Sequence, residues 1–472
     1  MDIEKFTDKF LEFEYKHNCF AYNYNGFNYW IYIRYMLSNH ILKLLSPNDF
    51  GSIEIVKLTK LQKMRLFSSR LLNAVFHNPL YECRKNELLI VQHQRKYLID
   101  EVYQDIYTNF LITQFQNANV LDTSDNGIYK KPQIRKFLND DYSILKRILY
   151  NKLYHFPLSF ISQIEDLQKS IEKEFKVILG TGYLKNMIFV SYTYYKSIKP
   201  FLYKLLKKMG TKFIIETVYY GQRNEILNEI ASELGITTIE LQHGTIGRTH
   251  IAYNFIEKNT IPQFPDFLLT FSDYWKYTAR FPIDASNIIS VGFPHFEKEK
   301  SKNPKQKSNK IVILFISQTT IGCELSKIAT KLNQLIDLEK FKIIYRLHPS
   351  ESFEWRKRMP WLAKSGIEVI ENFQNSIYSQ FSIASIQIGV YSTALYEGLG
   401  FGLNTMIVKL PGYERLNSLV EKGYATLVTD ENQIYQKLKL ECIRRFNIIN
   451  DLWVNNSEDK ALKVINKILY YS

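Results

Sequence analysis

Cysteine is sparse in this chain. Cys19, Cys83, Cys323 and Cys442 are scattered through 472 residues, and no Cys-x-x-Cys pair occurs. This spacing argues against a zinc ribbon and a disulfide framework, and it fits a reducing compartment. Long apolar runs are missing too. The longest uncharged one, Ile311 to Ile316, has strand length and falls far short of the roughly 18–20 residues of a membrane helix. The first six residues mix acidic and basic side chains, so no secretory leader is read there. These absences predict a soluble, cytoplasmic protein. The G-x-G-x-x-G fingerprint of dinucleotide enzymes is also absent, and no cofactor is expected.

Acidic residues are outnumbered. There are 47 Asp and Glu against 61 Lys and Arg, a net charge of +14. A basic surface attracts nucleic acid, anionic lipid or a charged substrate. Neither zinc-finger spacing nor an aromatic RNA-binding motif is present, which argues against nucleic acid. Two helical patterns concentrate the charge. In Lys57 to Phe76, Leu58, Leu61, Met64, Phe67, Leu71, Leu72 and Val75 recur at three- and four-residue spacing, with Lys57, Lys60, Lys63, Arg65 and Arg70 between them. Pro200 to Met209 carries Lys204, Lys207 and Lys208. Such helices either lie on an anionic membrane surface or pack an apolar face into the core beneath a solvated basic face. Aromatics make up 15% of the chain, with 33 Tyr and 31 Phe. Together with abundant Lys, Ile and Asn, this reads as genome bias.

Residues 1–80 read as a helical N-terminal region. From Glu87–Val91 onward, short apolar strands alternate with helical patterns, the signature of parallel β-α-β construction. Strands are expected at Asn119–Asp122, Lys176–Leu179, Lys212–Glu216, Thr237–Leu241, Phe267–Thr270 and Ile288–Val291. After the charged, apolar-poor stretch 297–309, a second series follows at Lys310–Ser317, Lys342–Leu347, Ile367–Glu371, Ile386–Gly389, Thr405–Val408 and Ala425–Val428. The expected architecture is α/β, with two doubly wound Rossmann-like domains: residues 81–296, a linker at 297–309, and residues 310–472 with closing helices. Ligands of such pairs bind in the cleft between the carboxyl ends of the two sheets.

Three clusters stand at strand ends. Glu240-Leu-Gln-His-Gly-Thr-Ile-Gly247 puts His243 and Gly244 on a tight turn. Histidine is the usual general base near neutral pH, and glycine allows a ligand close to the backbone. Tyr345-Arg-Leu-His-Pro-Ser-Glu351 places Arg346 and His348 on the same side of a strand end, where they suit phosphate oxygens. Gly389-Val-Tyr-Ser-Thr393 leads into a short helix. Tyr391, Ser392 and Thr393 border its unpaired N–H groups, a potential anion site, and Glu397 lies one turn on, within reach of a sugar hydroxyl. Ser317 and Gln318 add polar contacts after the first strand of the second series. Each cluster also has a plain structural reading: a histidine capping its own turn, a buried Arg–His pair, an ordinary helix N-cap.

In this order the clusters resemble those of GT-B glycosyltransferases. The similarity is to bacterial surface-polysaccharide transferases and to the polyol-phosphate transferases of teichoic-acid synthesis. It covers roughly residues 210–430. A His-Gly turn, an Arg-x-His-Pro turn and a late Ser/Thr turn line the donor cleft in those families. The resemblance implies a nucleotide-sugar donor of hexosyl or sialyl type and a glycan or lipid-linked acceptor. The product would be a growing capsule or lipooligosaccharide, made at the inner face of the plasma membrane. His243 would be the base. Arg346, His348, Ser392 and Thr393 would meet the leaving phosphate, and Glu397 the ribose. Teichoic-acid polymerases carry Asp-Tyr-Ser-Ser where this chain has Gly389-Val-Tyr-Ser392, which favours a sugar donor. No Asp-x-Asp follows a strand, so a metal-independent, inverting displacement is expected. The alternatives are a CDP-polyol phosphotransferase, a hydrolysing nucleotide-sugar 2-epimerase, and a non-enzymatic scaffold of polysaccharide assembly at the membrane surface.

Overall fold

The computed structural model describes residues 2–47, 59–122, 129–134, 136–257, 261–352, 354–371, 376–440 and 449–471. Lys57, Leu58 and Cys442 lie outside them. Helices α1 (Ile3–Lys16), α2 (Tyr29–Leu45) and α3 (Lys60–Phe76) precede the first sheet. That sheet holds β1 (Leu88–Val91), β4 (Asn119–Leu121), β5 (Phe213–Glu216), β6 (Thr237–Leu241), β7 (Phe267–Thr270) and β8 (Ile288–Ser290), all parallel, in the order β4-β1-β5-β6-β7-β8. Helices α4 (Asp141–Leu153), α5 (Leu158–Phe175), α6 (Tyr183–Met209) and α7 (Gln222–Leu234) belong to the same half.

Helix α8 (Pro294–Lys302) leads to the second sheet. Its strands are β9 (Ile311–Ile316), β10 (Phe341–Arg346), β11 (Glu368–Ile370), β12 (Ile386–Gly389), β13 (Asn404–Val408) and β14 (Thr426–Val428), again all parallel, in the order β11-β10-β9-β12-β13-β14. Helices α9 (Gly322–Leu335), α10 (Ile377–Ile383), α11 (Ala394–Gly400) and α12 (Glu431–Lys439) accompany it. The fold is thus α/β, GT-B-like, with two doubly wound domains and a helical N-terminal region. The order reverses at β1/β5 in the first sheet and at β9/β12 in the second. These are the crevices where open parallel sheets bind ligands.

Four local readings differ from the structure. Lys176–Leu179 forms no strand. Lys176 takes a left-handed conformation (φ 55°) that ends α5, Ile178 is exposed, and the Leu179 amide donates to Glu172 Oε1 at 2.9 Å instead of to a ladder. An unexpected hairpin joins β2 (Tyr97–Ile99) to β3 (Val102–Gln104). The stretch 297–309 begins inside α8, where Pro294 at the first turn presets φ and Glu and Lys sustain the helix. The last helix, α13 (Ser457–Tyr471), does not close the second domain. It buries Ala461, Ile465 and Ile468 among Leu88, Ile90, Phe213 and Ile239 of the first sheet.

The two basic helical patterns also part ways. Residues 200–209 lie in α6 and bury Phe201, Leu202, Leu205, Leu206 and Met209. Helix α3 buries only Ala74 and turns its apolar face outward, so the core-packed reading of that helix is corrected. Helices α1 and α2 are integral to the first half. The fully buried Arg34 guanidinium meets both Glu14 carboxylate oxygens at 2.6 and 2.7 Å and donates to the carbonyls of Ile251 and Asn254. An Arg with this many partners offsets its desolvation, and removing it would strand a buried carboxylate at a cost of about 3–5 kcal/mol. Through Arg34 the N-terminal helices hold the loop that follows His243.

Candidate active site

Strand β6 ends at Leu241, and the chain turns sharply through Gln242, whose Nε2 donates to the Gly244 carbonyl at 2.8 Å. This turn presents His243. Its backbone carbonyl accepts from Tyr107 Oη at 2.6 Å, and its Nε2 shares a 3.1 Å hydrogen bond with Tyr220 Oη. Its Nδ1 has no hydrogen-bond partner among the described residues and lies 4.0 Å from Glu240 Oε1. Burial, followed by the influence of His93, His250 and Arg95, holds the imidazole well below its ordinary pKa. The ring is therefore neutral at pH 7, and the same burial opposes its protonation, so a base at this point needs a negative partner. Open space adjoins the Cα of Gly244, so nothing blocks a ligand at that point of the turn.

The surrounding groups come from other strand ends. His93 follows β1, stacks on His243 at 6.0 Å, and is fixed by its amide donating to Asp105 Oδ2 at 2.7 Å. Tyr220 follows β5 and reaches His250 as well, with ring centroids 4.9 Å apart. Glu240 is fully buried. Burial pushes its carboxyl up to about 7, although Tyr253 Oη (2.7 Å) and the Tyr219 amide (3.2 Å) both donate to it. Arg95, exposed two residues beyond His93, lowers the pKa of His243 and also that of His348 in the other half. This guanidinium thus lies within electrostatic range of a histidine in each half.

The second sheet presents hydroxyls. Gln318 Oε1 accepts from the Tyr391 amide at 3.3 Å, and Thr320 Oγ1 bonds Tyr391 Oη, so the turns after β9 and β12 are tied together at the switch point. Thr319 Oγ1 lies 3.2 Å from His348 Nδ1 and 2.5 Å from Ser350 Oγ. His348 Nδ1 also accepts the Ser350 amide, which makes this histidine the cap of its own turn. The His348 amide donates to Glu351 Oε2 at 2.7 Å. Gly322 makes this possible, because a Cβ there would stand 1.8 Å from Glu351 Oε1.

The expected residues therefore fall into two sets. Gln318, His348 and Tyr391 meet around the β9 and β12 ends, joined by Thr319 and Thr320. Ser317 is turned inward to Tyr345 Oη (3.0 Å), and Arg346 is buried with its guanidinium donating to Gln380 Oε1, so Arg346 and His348 have separate partners. Ser392 Oγ accepts the Ala394 amide at 3.3 Å, and Thr393 makes no side-chain cap. Glu397 lies beside Tyr378, which is hydrogen-bonded to it, and near enough to Tyr107 of the first half to raise its pKa. Burial pushes Glu397 up to about 7.

Sequence reading passed over His93, Arg95, Tyr107 and Tyr220. Two of them carried the same signal as His243, since His93-Gln-Arg95 directly follows the first strand. Arg415 was missed too. Its guanidinium lies over the Tyr391 ring at 5.3 Å and borders two cavities. One, of about 250 Å³, lies between Tyr391, Lys409 and the α1–α2 residues Ile3 and Leu42. The other, of about 70 Å³, lies between Tyr35, Thr245 and His250. Among the described residues no cluster of three or more His, Cys, Asp or Glu could hold a metal ion, and no helix is long and apolar enough to cross a membrane.

No protein-family description matches the sequence, and no curated protein matches it. Solved structures do resemble it at low identity. The UDP-GlcNAc 2-epimerase of Methanocaldococcus jannaschii is 12% identical, with a TM-score of 0.49, 82% of this chain and 99% of that chain being covered. MurG of Acinetobacter baumannii is 12% identical at a TM-score of 0.45, covering 80% and 99%. The wall teichoic acid polymerase TagF is 10% identical at 0.43, covering 88% and 99%. Likenesses this distant carry no argument about chemistry, which rests on the residues themselves.

Proposed function

We propose that this protein is a glycosyltransferase. It moves a sugar from a nucleotide-sugar donor to a growing bacterial surface glycan, capsule or lipooligosaccharide, by an inverting and metal-independent displacement. One observation carries the reading. A histidine held neutral by burial stands at the β6 end of one sheet, its Nε2 bonded to Tyr220 and its Nδ1 turned toward Glu240, and Arg95 lies within electrostatic range of both this ring and His348 at the hydroxyl-lined switch point of the other sheet.

The acceptor hydroxyl approaches His243 beside Gly244, where the backbone adjoins open space. As the oxygen attacks the anomeric carbon, His243 takes its proton. If Nε2 receives it in place of the Tyr220 hydrogen bond, Nδ1–H of the imidazolium faces Glu240, whose charge offsets that of the ring. The bond from the anomeric carbon to the phosphate oxygen breaks, and the electron pair leaves with the nucleotide. Arg95, His348 and the hydroxyls of Thr319 and Thr320 offset the developing charge. A single displacement from the face opposite the leaving group inverts the anomeric centre. Glu397, once ionised, accepts from the ribose hydroxyls. A cytoplasmic protein held at the inner face of the plasma membrane belongs to the same reading, because a lipid-linked acceptor is presented there.

A thermal-shift series with UDP, CMP, CDP and GDP tests the proposal, since a ligand that binds only the folded chain raises its melting temperature. Stabilisation by a nucleoside phosphate, reduced in His348→Ala, is the expected result. Preference for CDP with a polyol product would move the reading to the phosphotransferase alternative. No stabilisation by any of the four would remove the nucleotide-sugar reading.

A further inference from the structure

Helix α3 carries its apolar side chains on the outside. Met64 is 62% exposed, Leu72 56% and Phe76 69%, and Leu61, Phe67 and Val75 are likewise open to solvent. Burying a side chain of this size typically contributes about 1.5–3 kcal/mol, so an amphipathic helix that leaves its apolar face out is an exception to be explained. The helix is not loose on its support. Asn73 Nδ2 donates to Asp141 Oδ2 at 2.8 Å, and Arg70 faces the same carboxylate at 3.8 Å, which fixes α3 beside α4. Helix α4 extends the surface. Leu149 and Leu153 are exposed on it, and Leu158 follows at the start of α5.

The charge on this face has one sign. Helix α3 contains Lys60, Lys63, Arg65 and Arg70 and no Asp or Glu. Helix α4 adds Lys146, Arg147 and Lys152, and its single acidic residue is the buried Asp141. Among the described residues, Lys60, Lys63, Arg65 and Lys152 take part in no ion pair. Between the apolar side chains and the cations, the exposed positions of α3 carry only neutral polar residues, Gln62, Ser68 and Ser69.

We infer that the α3–α4 face docks on an anionic lipid bilayer, with its apolar side chains at the acyl boundary and its basic side chains among the headgroups. Charge complementarity selects this occupant. A second copy of the chain would bring the same cations against themselves, and like charges across an interface are strongly disfavoured. Nucleic acid would match the cations and leave Met64, Phe67 and Leu72 unused. The inference rests on the membrane-side location proposed above and names the surface that would bring it about.

Co-sedimentation of the full chain with vesicles of phosphatidylcholine alone, or mixed with phosphatidylglycerol, tests it. The wild type should pellet with the mixed vesicles only. Lys60→Gln, Lys63→Gln and Arg65→Gln combined should lower partitioning about a hundredfold at low salt, at roughly fivefold per charge. Met64→Ser, Phe67→Ser and Leu72→Ser combined should abolish what binding persists at raised salt. All six side chains are in solvent, so both variants should fold, and a melting temperature equal to wild type checks this. Wild type that stays in the supernatant with both vesicle types overturns the inference. So does a self-associating wild type made monomeric by the apolar variant, because the face would then join two copies. Nucleotide thermal shift should be the same in wild type and both variants. If nucleotides fail to stabilise any of them while the vesicle results hold, the transferase reading falls and the lipid-docking face stands.

Discussion

The two sheets are both six-stranded and parallel, yet their strand orders differ, and they present different chemistry at their carboxyl ends. The first offers titratable groups, with His93, His243, His250 and Glu240 packed among Tyr107, Tyr220 and Tyr253. The second offers short neutral side chains, with Thr319, Thr320 and Ser350 joined to His348 and Tyr391. Burial in aromatic surroundings moves pKa values, and that suits proton transfer. Hydroxyls and turn amides hold an anion without changing charge. On the proposed reading, the half with the titratable groups moves the proton and the half with the hydroxyls receives the phosphate.

The sharpest way to break this division is His243→Ala. Turnover should fall about 100–10,000-fold, the usual loss of a general base, while nucleotide affinity stays near that of wild type. Steady-state kinetics beside a nucleotide titration checks both. A loss of affinity equal to the loss of rate would place His243 on the phosphate side. The mirror experiment is His348→Ala. It should weaken nucleoside-phosphate binding about tenfold, as the loss of a hydrogen bond to a charged group does, with any fall in kcat smaller than that of His243→Ala. Unchanged affinity would reduce His348 to the cap of its own turn.

Glu240→Gln sharpens the comparison at lower amplitude. Glu240 titrates near 7 and faces His243. The variant should lose activity severalfold, about 1 kcal/mol of imidazolium stabilisation, and flatten the pH–rate profile around neutrality. A profile identical to wild type would separate Glu240 from the proton path. The smallest effect concerns Glu397, whose folded value of about 7 exceeds its ordinary 4.5. A carboxyl raised on folding contributes stability that is fully present below its unfolded value and is lost as pH rises through about 7. Glu397→Gln should therefore flatten the fall in melting temperature across that window. A melting profile that keeps the whole wild-type slope would show that Glu397 is not among the groups titrating there, leaving the fall to Glu240.

Much of this was legible in the residues because strand ends announce themselves. Thr237–Leu241 and Ile386–Gly389 are apolar runs closed by glycine or polar turns, and they form strands at those bounds. Lys176–Leu179 carries the same apolar signal without a partner strand, and pairing is a property of the sheet rather than the segment. The β2–β3 hairpin stayed hidden because its turn uses Asp100 and Glu101 at positive φ, where Asn-Gly would have been the usual mark. Arg346 and His348 alternate along the chain as expected, yet tertiary packing sends the first to Gln380 and keeps the second in its own turn. For α3, periodicity revealed an apolar face, and only the folded surroundings revealed that it is exposed among the described residues. His93 and Arg95 carried a readable signal, since they follow β1 as directly as His243 follows β6.

The return of α13 to the first sheet has a mechanical consequence. The second domain is hung on two passages of chain, one outgoing through α8 and one incoming before α13. The Glu297 carboxylate joins them by accepting from the Asn456 and Ser457 amides, each at 2.7 Å. Trp453 lies between the passages, stacked on Phe296 at 4.1 Å. The outgoing and the returning chain are thus fastened at one place, so Glu297 and Trp453 set where the second domain is attached to the first.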